Sequence, residues 1–447
     1  MGTAGCAVSL AKATLGVGVV ALPRVFLLLG ALPAAAACAG VAALGYASCR
    51  ALAVGTRHTG QATYSGVLAA QLGAGAAAAL DLAMVVSCWG AEAVYLVAAG
   101  DALQLRGGAP SVHGGARAAL ATRAVALPAL CLLVVAPLVS FRRLQQTAVA
   151  SVLGVTAVTA WACAALYLAG LLALKGEVQP VGLWPDLELL AGQPWPRGAL
   201  QLAASINIIL CAFMCQHAFL PVVRELELRA PPRRMARAAG GAMALAFALM
   251  LLLACASEAV FGRQLNQDVL RNFSADGIRD LLHERYAGPA TALAFGVRGA
   301  YLVSILSCFP LEMQPMRESL ARLRHPHTSY YSLQEAEELG GSGGWRFYAA
   351  TYAALAGACA LAIVAPSIWE PLELLGATAG AAIAFVLPGV LAASMAGWRL
   401  RGGGAADEGP IAPLSVSSEA GTARTGLLLM LAGLLLAVAG IAKAVFA

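Results

Sequence analysis

Apolar runs of about 20 residues recur along this 447-residue chain, each long enough to cross a hydrocarbon core of roughly 30 Å as a helix. The pattern predicts eleven spans, at about 5–29, 31–54, 78–104, 123–140, 147–174, 199–223, 237–262, 288–314, 346–366, 370–396 and 425–446, and so an all-α integral membrane protein. Two stretches depart from it, RLRHPHTSYYSLQEAEELGGSGG at 322–344 and RGGGAADEGPIAPLSVSSEAGTAR at 401–424. Glycine, serine, proline and charge dominate both, which predicts loops.

The first span carries an internal contradiction. GVGVVALP at 16–23 places two glycines and a proline inside an apolar run, with Lys12 just before them. In lipid, every backbone N–H and C=O needs an internal partner, so an interrupted helix is tolerated only where it faces protein or a wet cavity. In secondary transporters such interruptions hold substrate and coupling ion near the midplane. Gly16 and Gly18 would let a carboxylate reach backbone donors at the positive end of the following half-helix. Close packing of small residues explains the same pattern equally well. A matching break is expected five spans later, where SINIILCAFMCQHAFLPVVRELE has polar groups at mid-depth and Pro221 near its end, but no central glycine.

Composition agrees with the pattern. The chain is 60% hydrophobic and 12% charged, with mean hydropathy +0.77, about half the charge of a soluble domain. The formal charge of +6 is spread over short loops, which speaks to membrane orientation and not to nucleic acid. With the N-terminus cytoplasmic, the inner loops hold Arg50, Arg57, Arg142, Arg143, Arg229, Arg233, Arg234, Arg237, Arg322, Arg324, Arg399 and Arg401. The outer arginines Arg263, Arg271, Arg279 and Arg285 lie beside Asp268, Asp276, Asp280 and Glu284. This orientation puts the glycosylation sequon Asn272-Phe273-Ser274 outside. The 11 cysteines are scattered, which suggests neither a disulfide framework nor a metal pair. The first span has no basic leader or cleavage motif and reads as retained.

SLAKATLGVGVVALP resembles the opening helix of the amino acid/auxin permease family, the amino acid transporter transmembrane domain. Further resemblances follow in family order: AEAVYLVAAGD, APLVSFRRLQQTAVAS, FMCQHAFLPVVREL, FGRQLNQDVLRNF, FPLEMQPMRESL and LLGATAGAAIAFVLPG. The resemblance spans nearly the whole chain. It implies the APC-superfamily, leucine-transporter-like fold of eleven helices, with inverted five-helix repeats at 5–174 and 199–396, an extra helix at 425–446, and amino acid transport coupled to H+ or Na+. Substrate binding is then expected at Gly16, Val17 and Gly18 through the backbone, with a side-chain pocket around Tyr95, Cys211, Phe213, Cys215 and span 8.

Lys12 stands where sodium-coupled relatives resemble one another in carrying Asn, so its ammonium would replace the sodium ion. The alternative is that it snorkels to the surface. Ser9 stands where proton-coupled relatives show histidine. Glu92, mid-span and one turn before Tyr95, is a candidate proton carrier, or else a buried partner of Lys12 or Arg298. His217 sits one position beyond the family's Cys-His and is either a proton site or a packed imidazole. Ser304 and Ser307 offer hydroxyls for a cation without the adjacent pair sodium favours, which tilts the expectation toward protons. Glu312 and Arg317 read as an ion pair at the cytoplasmic end of span 8, gating or merely superficial.

No intramembrane hydrolase motif lies in a span, and GGSGG at 340–344 falls in a loop, so an enzyme is not expected. Nor is there a repeated filter sequence of the channel kind. An amino acid sensor using the same broken helix is the rival reading, and the short ends of the chain favour transport over it. The expected partners are a small neutral amino acid and the bilayer, in a vacuolar or lysosomal-type membrane or the plasma membrane. No cofactor beyond the coupling ion is expected.

Overall fold

A computed structural model describes residues 2–103, 124–140, 148–185, 195–224, 231–282, 287–324, 345–365, 367–400 and 416–446. Of the predicted loops at 322–344 and 401–424, residues 325–344 and 401–415 lie outside them, as do Arg142, Arg143, Arg229, Glu284 and Arg285; the described ends, 322–324 and 416–424, are helical instead, continuing the neighbouring spans. The first span is two helices, α1 (Thr3–Thr14) and α2 (Gly18–Leu29), bent by 65° at their junction. There follow α3 (Ala31–Thr59), α4 (Tyr64–Leu72), α5 (Ala74–Leu103), α6 (Ala124–Val139) and α7 (Ala148–Lys175). The second half holds α8 (Trp195–Ala212), α9 (Gln216–Val223), α10 (Pro232–Phe261), α11 (Ala275–Leu282), α12 (Ala287–Leu306) and α13 (Phe309–Arg324). Last come α14 (Trp345–Val364), α15 (Trp369–Leu375), α16 (Leu387–Leu400) and α17 (Val416–Phe446).

Eight helical stretches among the described residues are long and apolar enough to cross a membrane, and the bent α1–α2 pair makes a further broken span. The shorter apolar helices Ala124–Val139 and Tyr348–Val364 stand where spans 4 and 9 are predicted. Two short helices were not foreseen. α4 is capped by Thr63, whose hydroxyl accepts from the Gly66 amide at 2.9 Å, the role of a threonine N-cap. α11, between spans 7 and 8, carries Asp276 in its first turn and Arg279 in its last, a placement that suits the helix dipole.

Alanine and glycine let these helices approach closely, as expected where the apolar surroundings cannot drive association. Gly30, at φ +78°, is needed for a corner as well: a Cβ there would lie 2.5 Å from the Trp184 Cα of a docked loop. The loop at 181–185 docks on the α2–α3 corner through Ala31 N–H to Gly182 O at 2.8 Å. Between α15 and α16 the chain runs through π turns at Gly376–Gly380 and Ala382–Val386. All eleven cysteines are free, as their scatter suggested.

The loop after α10 is tied down by charge. Arg271 pairs with Asp101 at the end of α5 at 3.1 Å, and Arg298 on α12 donates to the carbonyls of Phe273 and Leu270. Asp268 accepts from the Leu270 amide at 2.8 Å. Burial, helped by the nearby Asp101 carboxylate, pushes the Asp268 carboxyl up to about 7.

Candidate functional site

The first helix breaks where its glycines predict. Leu15 N–H still reaches Ala11 O at 2.8 Å, and beyond the break Val19 and Val20 bond back to Gly16 and Val17 in tight turns. Among the described residues the amides of Gly16, Val17 and Gly18 donate to no backbone carbonyl. Three buried donors thus stand together at the N-terminus of α2, the arrangement that binds anions. Side chains could not replace these glycines. A Cβ on Gly18 would lie 2.6 Å from the Ala212 backbone, and one on Gly16 would lie 2.8 Å from the Tyr95 hydroxyl.

Lys12 does not snorkel. It is fully buried, and its ammonium donates to Leu15 O at 2.7 Å, Ser304 Oγ at 3.0 Å and Cys308 Sγ at 2.9 Å. Those acceptors come from the unwound first helix and from α12 and the turn after it. Pro310 lacks an amide hydrogen and follows that turn, so the eighth predicted span, helix 8 (α12 and α13 together), is interrupted beside the lysine. Ser307 turns its hydroxyl to the Ser304 carbonyl at 2.6 Å. No pattern in the chain singles out Gly154 on α7. A Cβ there would meet Ser307 Oγ and lie 2.5 Å from Lys12 Cε, so that glycine makes room for the lysine stem.

The acids assemble differently from expectation. Glu92 is fully buried, and neither of its oxygens has a hydrogen-bond partner. Lys12 and Arg298 are engaged with other oxygens, and the charges that reach Glu92 are those of Glu312 and Arg317. Glu312 does not lie on the surface. It is 3% exposed and accepts from the Tyr95 hydroxyl at 3.2 Å. Arg317 donates instead to Val139 O at 2.8 Å. The helix 8 interruption aims the first turn of α13 inward, which an unbroken helix read from sequence would not show. His217 does reach the interior: its Nε2 stands 3.1 Å from Glu312 Oε1, off the alignment of a hydrogen bond.

A small cavity joins these groups, lined by the break at Gly16–Gly18, Tyr95, Cys211 and Glu312. Its volume is about 20 Å³, enough for a water molecule, so an amino acid enters only when the helices part. Of the residues expected around span 6, Cys211 lines it together with Met214. Phe213 and Cys215 are buried elsewhere, and Cys215 Sγ lies 4.0 Å from Cys49 Sγ. The second break falls between α8 and α9 at 213–215, without a glycine. There Gln216 turns back so that its Oε1 accepts from the Cys215 amide at 3.0 Å. Asn272 is only 8% exposed. Its side-chain nitrogen donates to Gln264 O at 2.8 Å and its oxygen accepts from Asn266, so a glycan there would have to break these bonds.

Residues 3–398 match the family described as transmembrane amino acid transporter protein. Amino acid transporter AVT6C of Arabidopsis thaliana is 25% identical over 398 residues, covering 87% of this chain and 85% of the relative. AVT6B of the same plant is 26% identical, over 86% of this chain and 80% of its own length. Among solved structures, a manganese transporter of Eremococcus coleocola aligns with 99% of this chain and 94% of its own at TM-score 0.46 and 12% identity. MHP1, a nucleobase-cation-symport-1 family transporter, aligns with 99% of this chain and 92% of its own at TM-score 0.48 and 12% identity. With buried donors at a broken first helix and a family match along nearly its whole length, this chain is a multi-pass membrane protein and belongs to the transmembrane amino acid transporter family.

Proposed function

We propose that the chain is a secondary active, proton-coupled amino acid transporter working by alternating access, with residues 5–174 and 199–396 as its two inverted repeats. The observation that carries this reading is the Lys12 ammonium, fixed among Leu15 O, Ser304 Oγ and Cys308 Sγ beside three unpaired amides.

Carbonyl and hydroxyl oxygens from a broken first helix and helix 8 are the ligands a sodium ion would take. Here a side chain satisfies them, so the broken helix keeps its shape without a bound metal ion. The substrate carboxylate then docks on the amides of Gly16, Val17 and Gly18, drawn by the positive end of α2 and by the nearby lysine. Glu92, buried without a hydrogen-bond partner, carries the coupled proton, because an isolated carboxylate is far less costly in the membrane interior when neutral. A proton gradient across a vacuolar-type or plasma membrane supplies the driving force. Helix interruptions at 15–17, 213–215 and 307–308 supply points about which the helices move.

The test is uptake of a labelled neutral amino acid mixture into proteoliposomes under an imposed pH or Na+ gradient, for wild type and Glu92→Gln. Uptake that follows pH and is lost in the variant is the expected result. Sodium dependence with an unaffected variant overturns the coupling scheme. Binding without uptake under either gradient makes the protein a sensor.

A further inference from the structure

Glu312 is the one charged residue lining the cavity at the helix 1 break. Its Oε1 is engaged by the Tyr95 hydroxyl at 3.2 Å and faces His217 Nε2 at 3.1 Å. Its Oε2 is buried and has no hydrogen-bond partner. A buried carboxylate oxygen left unmatched is costly, and a cavity-lining one is matched by whatever cation the cavity receives. The carboxylate is also close to the anion site. A Cβ on Gly16 would touch the Tyr95 hydroxyl, and that same hydroxyl donates to Glu312. One phenol oxygen therefore separates the free amides of the broken helix from the acid.

We propose that Glu312 receives the α-ammonium of the substrate, making the site selective for neutral, apolar α-amino acids over carboxylates that lack the amine. This rests on the reading that the carboxylate binds at Gly16–Gly18. An α-amino acid carries its two charged groups on one carbon, as the single-hydroxyl separation of the two poles requires. A substrate whose only ammonium is at the end of a long side chain does not fit that spacing, and a second carboxylate would meet the charge of Glu312. The rest of the wall near Met214, Leu372 and Leu375 is apolar, and suits a hydrocarbon side chain. Tyr95 holds Oε1 in place and is a positioning residue, itself packed edge-on against Phe309 at 5.7 Å.

The experiment is competition against a bound labelled neutral amino acid mixture in detergent-purified full-length protein. The competitors are unlabelled L-alanine and L-leucine, their N-acetyl derivatives, and propionate. Wild type is expected to prefer the free amino acids strongly. In Glu312→Gln, whose amide preserves shape and can still accept from Tyr95, amino acid affinity should fall by roughly tenfold or more, the loss expected for a charge-assisted hydrogen bond. The preference over N-acetyl compounds and propionate should collapse with it. Glu312→Asp, which keeps the charge, should bind more weakly yet retain that preference, and it serves if the glutamine variant does not fold. Full discrimination in Glu312→Gln overturns the proposal, as does equal weakening toward all competitors in both variants, the pattern of a merely structural brace. Wild type that binds no amino acid at all would instead overturn the carboxylate site on which the proposal rests.

Discussion

The two helix breaks in the middle of the molecule have opposite chemistry. At the first, two glycines remove side chains, three amides stay unpaired, and a 65° bend opens the backbone. At the second, no glycine is present, the side chain of Gln216 closes over the Cys215 amide, and the His217 amide at the start of α9 donates to no backbone carbonyl among the described residues. Helices 195–212 and 216–223 remain one span, Leu200–Val223, that is not sharply bent. An interruption alone does not distinguish the two. The first adds a sharp bend and glycines that leave its open donors uncovered.

Substitutions that fill or unseal the two breaks test that difference. The largest effect is expected from Gly18→Ala. Its methyl would meet the Ala212 backbone, which cannot swing aside as a side chain can, so uptake should vanish and stability should drop by about 1–3 kcal/mol, the range for overpacking. Normal uptake by this variant would show that the two helices do not meet there. Next comes Lys12→Gln, which removes the ammonium from Leu15 O and helix 8. Proteoliposome uptake should fall by roughly tenfold or more, as expected for a charged hydrogen-bond donor lost from a buried site; unchanged uptake would reduce Lys12 to packing.

Gln216→Ala exposes the amide that closes the second break, and should lower stability by about 1 kcal/mol while leaving uptake within about twofold, a change of less than 1 kcal/mol in the barrier. Equal loss of uptake here and in Gly18→Ala would erase the contrast between the breaks. The smallest effect lies outside both of them. Because the folded carboxyl of Asp268 is raised from 3.8 to about 7, its contribution to stability is fully present below the lower value and is lost as pH rises through the upper one. The melting temperature should therefore decline across that window, and Asp268→Asn should flatten the decline without altering the pH dependence of transport.

The sequence made the first break legible because glycine and proline leave a visible mark in an apolar run. It located the second only by position, since no glycine marks 213–215 and the capping of the Cys215 amide by the Gln216 side chain leaves no signature in a sequence. Lys12 was legible as a residue, but its direction was not: two of its three acceptors lie almost three hundred residues away, and the room for its stem is made by Gly154 on another helix. Glu312 was misplaced for a related reason. Counting from the end of span 8 puts it beside Arg317 at the cytoplasmic surface, whereas the interruption before Phe309 carries it into the cavity with Tyr95 and His217. His217 lies one position from where relatives resemble one another, yet contacts the same acid.

The lysine in the first helix also bears on how the protein responds to voltage. A cation that belongs to the chain returns with the chain, so over a full cycle it moves no net charge across the bilayer, unlike a sodium ion released on the far side. The membrane potential is worth about 2.3 kcal/mol per elementary charge per 100 mV, and in the proposed proton-coupled cycle, with Lys12 in place, it would act only on the proton and on any net charge of the substrate. For a zwitterionic amino acid the current per molecule transported then counts protons directly.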